Sequence, residues 1–227
     1  MLLQIRNIFK AYGRKESEAY QVVLDDVSLE IERGQRMAVT GPSGSGKTTL
    51  LNMAGSLDKP DRGQVLYRGK DITGLSGKGL EQFRNQAVGF VFQQHHLFPQ
   101  FTLFENVLLP TLPNRDRDRA ADRAEDLIRR TGLWDHRHKK PGELSGGESQ
   151  RTAVVRALVN HPAVLLADEP TGSLDRENAI RLFDLLIELS GTEEVALVVV
   201  THSRELAERM DTVYRLQSGK LDMITTK

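Results

Sequence analysis

Eight residues, Gly41-Pro-Ser-Gly-Ser-Gly-Lys-Thr48, are spaced to hold a row of phosphates. Gly41, Gly44 and Gly46 let backbone N–H groups converge on an anion, and a helix starting after them adds its dipole. Pro42, Ser43 and Ser45 fill out the loop. Lys47 brings a mobile positive charge to the β/γ oxygens, and Thr48, followed by Thr49, offers a hydroxyl to Mg²⁺. The ligand class is a nucleoside triphosphate.

Other residues have the chemistry to use that ligand. Asp168 and Glu169 follow the apolar run Ala163–Ala167, so both carboxylates emerge where a buried strand ends. Asp168 is placed to hold Mg²⁺ through water, and Glu169 to polarise an attacking water. His202 ends the next apolar run, within reach of a γ-phosphate. Gln93 follows a strand ending at Phe92, where an amide can meet the metal or the attacking water. Tyr12 offers a ring face to a purine, with Tyr20 as a competing candidate. His95-His96 and His136/His138 lack the acidic or cysteine neighbours of a metal site. The string Leu144-Ser-Gly-Gly-Glu148 supplies small residues and free amides just before a helix, a second anion-binding surface. If both surfaces serve one nucleotide, they come from two copies of the chain.

These groups need a scaffold, and the hydropathy pattern outlines one. Strand-like segments run over Leu2–Ile8, Val22–Leu24 and Val27–Ile31, with a hairpin loop at Gly13–Ala19. Further strands are expected at Arg36–Thr40, Gln64–Tyr67 before an Arg68-Gly69 turn, Val88–Phe92, Ala163–Ala167 and Val195–Val200. The last is apolar throughout, as a strand covered on both faces is. Leu50, Leu51, Met53, Ala54 and Leu57 recur at helical spacing. Helices are expected at Ala120–Thr131 and Glu148–Asn160, and another after Asp175, a good N-cap, with Ile180, Phe183, Leu186 and Ile187 as its stripe. The fold class is α/β: a phosphate-loop core (about 1–96 and 156–227) with a mostly parallel sheet, an N-terminal antiparallel β subdomain and a helical insertion at about 97–155, all one domain.

Composition narrows the function. The 227 residues carry 31 basic and 31 acidic side chains, and that balance argues against a nucleic-acid partner. The mixed-charge run Asn114–Arg123 reads as a solvated helix face. No cysteine is present, which excludes disulfides and thiolate metal sites. The N-terminus lacks the apolar core of a signal peptide, and no apolar run approaches the roughly 20 residues needed to cross a bilayer. The chain by itself is expected to be soluble.

Taken together, the phosphate loop, Gln93, the Leu144–Glu148 string, Asp168-Glu169, Ser173-Leu-Asp175 and His202 resemble an ATP-binding-cassette ATPase in order and spacing, over essentially the whole chain. The resemblance implies ATP and Mg²⁺ as cofactors. It also implies a head-to-tail homodimer in which Ser145, Gly146 and Gly147 face the γ-phosphate held by the other copy. Asp175 then joins the two sites, Glu169 is the general base, His202 holds the γ-phosphate, Tyr12 stacks on adenine, and Gln93 couples to the helical insertion. The stretches Gln93–Val107, Leu51–Pro60, Arg156–Pro162 and Ala167–Asp175 resemble the lipoprotein-releasing and macrolide-exporter subfamily. That implies integral membrane permease partners at the cytoplasmic face of the bacterial inner membrane. A cell-division regulator is similar too, and a soluble cassette of DNA repair or translation is disfavoured by the single cassette and the absence of a basic stripe. Some of Leu97, Phe98, Phe101 and Phe104 are expected to line a groove for a partner's cytoplasmic helix. One departure is Ser149, where relatives carry a longer residue, which is expected to alter the helix surface.

Overall fold

The computed structural model of the chain describes residues 1–14, 16–17, 19–114 and 117–226. Parts of the predicted hairpin loop (Lys15, Glu18) and of the mixed-charge run (Arg115, Asp116) lie outside the described residues.

An antiparallel pair opens the chain, β1 (Leu3–Tyr12) and β2 (Gln21–Ile31). The two short strands expected at 22–24 and 27–31 are one. Asp26 takes a left-handed φ of 59° and the pairing register shifts nearby, so a bulge absorbs the break in pattern. β4 (Arg62–Tyr67) pairs with the other side of β1, and β5 (Lys70–Asp71) returns on it through Arg68-Gly69, both at positive φ as a tight hairpin turn requires. These four strands form one sheet, in the order β2-β1-β4-β5.

The second sheet has the order β10-β9-β3-β8-β7-β6. Its strands are β3 (Arg36–Thr40), β6 (Val88–Val91), β7 (Val164–Asp168), β8 (Ala196–Val200), β9 (Thr212–Gln217) and β10 (Lys220–Thr226). All neighbours are parallel except β9 and β10. The pleat sends alternate side chains of each strand into separate cores. Met37, Val39, Val164, Leu166, Val198 and Val200 join the core shared with the β subdomain and α1 (Lys47–Ala54). Ala38, Leu165, Ala167, Leu197 and Val199 face the core built with the helices.

Those helices are α3 (Leu103–Leu108), α4 (Arg117–Arg130), α5 (Gly146–Leu158), α6 (Arg176–Thr192) and α7 (Arg204–Ala207), while α2 (Gly77–Gln86) packs near β6. α5 begins two residues before the predicted Glu148 because Ser145 caps it, with its hydroxyl accepting from the Glu148 amide. α5 also runs through residue 155, placed in the sequence reading as the end of the insertion, and carries Val154, Val155 and Leu158 into the helical core. Sequence patterning gave no sign of α2, α7, β9 or β10, which are short, polar or amphipathic only in context.

Candidate nucleotide site

The phosphate loop joins β3 to α1, and its backbone leaves no room for larger residues. Gly41 has φ 154°, and a Cβ there would lie 2.2 Å from the Leu216 carbonyl oxygen. At Gly46, φ is 100° and a Cβ would meet Val23 at 2.7 Å. Gly46 is the N-cap of α1 and supplies no side-chain acceptor, so the first amides of the helix face the loop's concavity without a side-chain cap. Lys47 is 7% exposed and donates to the Gly41 and Pro42 carbonyls, both at 3.0 Å. The buried Ser45 Oγ has no hydrogen-bond partner.

Across the sheet, β7 delivers Asp168 to this loop. Thr48 Oγ1 donates to Asp168 Oδ2 at 2.8 Å, while Asp168 Oδ1 is buried without a partner. Burial pushes the Asp168 carboxyl above its ordinary range, partly offset by the Thr48 hydrogen bond and the charge of Lys47. One residue on, Glu169 adopts a left-handed φ of 45° and its amide donates to the Val200 carbonyl. Its Oε2 meets His202 Nδ1 at 2.9 Å. The two groups read from sequence as general base and phosphate ligand thus bond each other at the ends of β7 and β8.

Gln93 follows β6. Its Nε2 lies 3.0 Å from the point where a side chain on Gly172 would begin, and its carbonyl accepts from Ser173 Oγ at 3.4 Å. Gln93 therefore shares a neighbourhood with the segment between Glu169 and Asp175. Asp175 caps α6 by accepting from the Asn178 amide at 3.0 Å. Tyr12 is exposed at the end of β1, and its hydroxyl donates to Asp58 Oδ2 at 2.9 Å. Burial raises its phenol, as does Asp58, and Thr49 opposes them. Asp58 in turn receives the buried Lys10 at 3.1 Å, a brace on Tyr12 that sequence spacing gave no means of finding.

Ser145 and Gly146 are exposed at the head of α5. Within the chain, Gly146 and Gly147 lie beside Leu174 and Asn178 at the start of α6. Ser149 overturns its expectation: it is 2% exposed, because the fourth helical position points into the helical core, so its short side chain leaves the helix surface unaltered. Of the four apolar residues expected at a groove, Leu97 is buried, Phe104 packs on the helical core, and Phe98 with Phe101 forms a ring pair 6.1 Å apart.

The family description "ABC transporter" matches residues 24–172 of the chain. The chain belongs to the ABC transporter family. Among curated relatives, the cassette is 46% identical to the lipoprotein-releasing system ATP-binding protein LolD of Pseudomonas fluorescens, over 97% of this chain and 96% of that protein. It is 44% identical to the protein of the same name from Shewanella oneidensis, over 98% and 96%. Among solved structures, a dimeric ATP-binding cassette in a post-hydrolysis state bound to ADP and Pi has a TM-score of 0.88 at 33% identity, with both chains covered completely. A second dimeric structure, of a bacterial ABC transporter cassette, has a TM-score of 0.88 at 34% identity. The cassette is accordingly an ATP-binding, ATP-hydrolysing subunit of an ABC transporter with the P-loop cassette fold.

Proposed function

We propose that this cassette powers lipoprotein release, closing as a homodimer on two ATP molecules and working against integral membrane permease subunits at the cytoplasmic face of an inner membrane. The 44–46% identity to lipoprotein-releasing ATPases over nearly the full chain supports the substrate class. The observation that carries the chemistry is the meeting of Thr48, Asp168, Glu169 and His202 at one end of the parallel sheet.

Mg²⁺ fits the oxygen donors present: the Thr48 hydroxyl, the partnerless Asp168 Oδ1 and the Gln93 amide. Among the described residues no cluster of three or more His, Cys, Asp or Glu could hold a metal alone. When bound, the Mg²⁺ ion supplies charge neutralisation across the phosphate oxygens.

The chain's own groups do the rest. Amides at the head of α1 and Lys47, swung from its loop carbonyls, hold the β/γ oxygens. Glu169 takes the proton of the attacking water, and its hydrogen bond to His202 fixes the carboxylate's orientation. The other copy's Ser145, Gly146 and Gly147 close the far side of the γ-phosphate, and Asp175, at the start of α6, lies at the seam between the sites. Tyr12 stacks on the adenine.

The test is Glu169→Gln. It should slow hydrolysis on the order of 10²–10⁴-fold while retaining ATP and a closed dimer. Light scattering with and without Mg-ATP reads the dimer, and a persistent monomer at saturating nucleotide sinks the paired site. For the substrate, the chain co-purified with its membrane partner and reconstituted in proteoliposomes should release an inserted lipoprotein on ATP addition. ATP turnover without release would overturn that assignment.

A further inference from the structure

Glu148 closes the Leu144–Glu148 string, and its carboxylate is held at both oxygens. Oε2 accepts from the Ser145 amide at 2.7 Å, completing the capping box of α5. Oε1 meets His136 Nε2 at 3.2 Å. A carboxylate can only accept, so this contact is attractive with the imidazole proton on Nε2. The other ring nitrogen, Nδ1, is buried without a partner, which leaves the 3.2 Å approach to Glu148 as the polar contact of the ring.

His136 is itself held by the helical subdomain. Its amide donates to Leu133 O, and Leu133 is fully buried in the helical core. The guanidinium groups of Arg129 and Arg137 both lie over the Trp134 ring, 3.2 and 4.1 Å from its centre. Just beyond, Arg137 and Lys139 offer their carbonyls to the first amides of α3. A continuous chain of contacts thus runs from this core through His136 and Glu148 to the backbone of Ser145.

We propose that His136 is a positioning residue for the trans phosphate site: through Glu148 it fixes the Ser145 backbone so that the hydroxyl and following amides meet an incoming γ-phosphate in register. The proposal rests on the paired-site reading above. Its physical basis is twofold. The Ser145 hydroxyl accepts from the Glu148 amide only at 3.3 Å, so the shorter carboxylate–amide bond is what holds the cap. Glu148 also places a negative charge beside a surface meant for an anion, and the His136 N–H draws that charge away from the approaching phosphate.

The experiment uses the full chain in the Glu169→Gln background and reads the ATP concentration that gives half-maximal dimer. His136→Ala should raise it about tenfold, the order expected from losing one polar contact to a charged group. Binding of a fluorescent ATP analogue to dilute, monomeric chain should not change. His136→Gln, which keeps a donor, should restore dimerisation to within about threefold of the parent, within the spread of such contacts. In a Glu148→Ala background, His136→Ala should add nothing. Trp134, the only tryptophan, reports by fluorescence whether its turn is intact. If the alanine variant does not fold, His136→Met fills the space without a donor and should weaken dimerisation as alanine would. Unchanged dimerisation in His136→Ala or His136→Met overturns the proposal alone, as does an undiminished effect without Glu148. A Glu169→Gln parent that stays monomeric overturns the proposal together with the paired site.

Discussion

Asp168 shows how far one side chain's surroundings shape its role. Burial raises its carboxyl, and one oxygen has no partner, so the ionised group is a net cost to the nucleotide-free fold. For an acid with a raised value, stability is fully present below the unfolded value of about 3.9 and is lost as pH rises through the folded one. Asp168→Asn should therefore leave the nucleotide-free protein at least as heat-stable as wild type at pH 7, with the gap closing towards pH 4, as calorimetry can follow. The same change should lower ATP turnover on the order of 10²-fold, because a preorganised charge at the phosphates is gone. A lower melting temperature for the variant at neutral pH would refute the burial argument. The loop glycines and the closeness of Thr48 to Asp168 and of Glu169 to His202 follow from positions legible in the sequence, a glycine-rich loop after one strand and polar residues at the ends of two others. The Lys10–Asp58 brace on Tyr12 was not legible, since it joins residues 48 apart with no local signature.

Elements were legible where a repeat of apolar residues faces a continuous core. β3, β7 and β8 were read within a residue, because strands buried on both faces leave almost nothing polar to confuse the pattern. α2 and the β9–β10 hairpin escaped because their patterning depends on neighbours the sequence does not reveal. The same is true of the clamp between α4 and the end of α6. Glu193, just past α6, receives Arg123 at 2.7 Å and Arg130 at 2.5 Å, with side-chain exposures of only 10% for Glu193 and 13% for Arg123. Burial opposes ionisation of Glu193, but hydrogen bonds from the two arginines outweigh it and hold the carboxyl below its ordinary range. Stability from such an acid is present above its unfolded value, about 4.3, and lost as pH falls through the folded one. Glu193→Ala strands a buried arginine and should cost about 3–5 kcal/mol at neutral pH, read from the urea midpoint at constant m-value. The difference should shrink in acid. A loss below about 1 kcal/mol, typical of exposed pairs, would mean the pair is solvated.

At the scale of the molecule, the proposed permease has one candidate surface in the cleft between α2, β6 and the end of α5. An open cleft of ≈ 1160 Å³ is lined by Asn85, Phe90, Phe92, Pro110, Arg156 and Asn160, among others. No helix among the described residues is long and apolar enough to cross a membrane. Phe98, 49% exposed, lies outside the residues lining this cleft and is a second, apolar candidate contact for the proposed permease. Phe98→Glu should leave basal ATPase within about twofold, as surface changes away from a site do, while lowering permease-stimulated turnover. Equal stimulation of variant and parent would remove Phe98 from the docking surface. Helix α5 runs from Ser145, at the proposed trans phosphate surface, to this cleft. Ser145 caps its head, Gln150 donates to Phe92 O at 2.7 Å, and Arg156 grips the His95 and His96 carbonyls at 2.7 Å each. Arg156 is eleven residue steps along from Ser145, about 16 Å of nearly inextensible rod. Thermodynamic linkage then runs both ways along it. If filling the cleft tightens the hold on ATP by some factor, ATP must tighten the hold on the cleft's occupant by that same factor, and losing ATP must loosen it by as much.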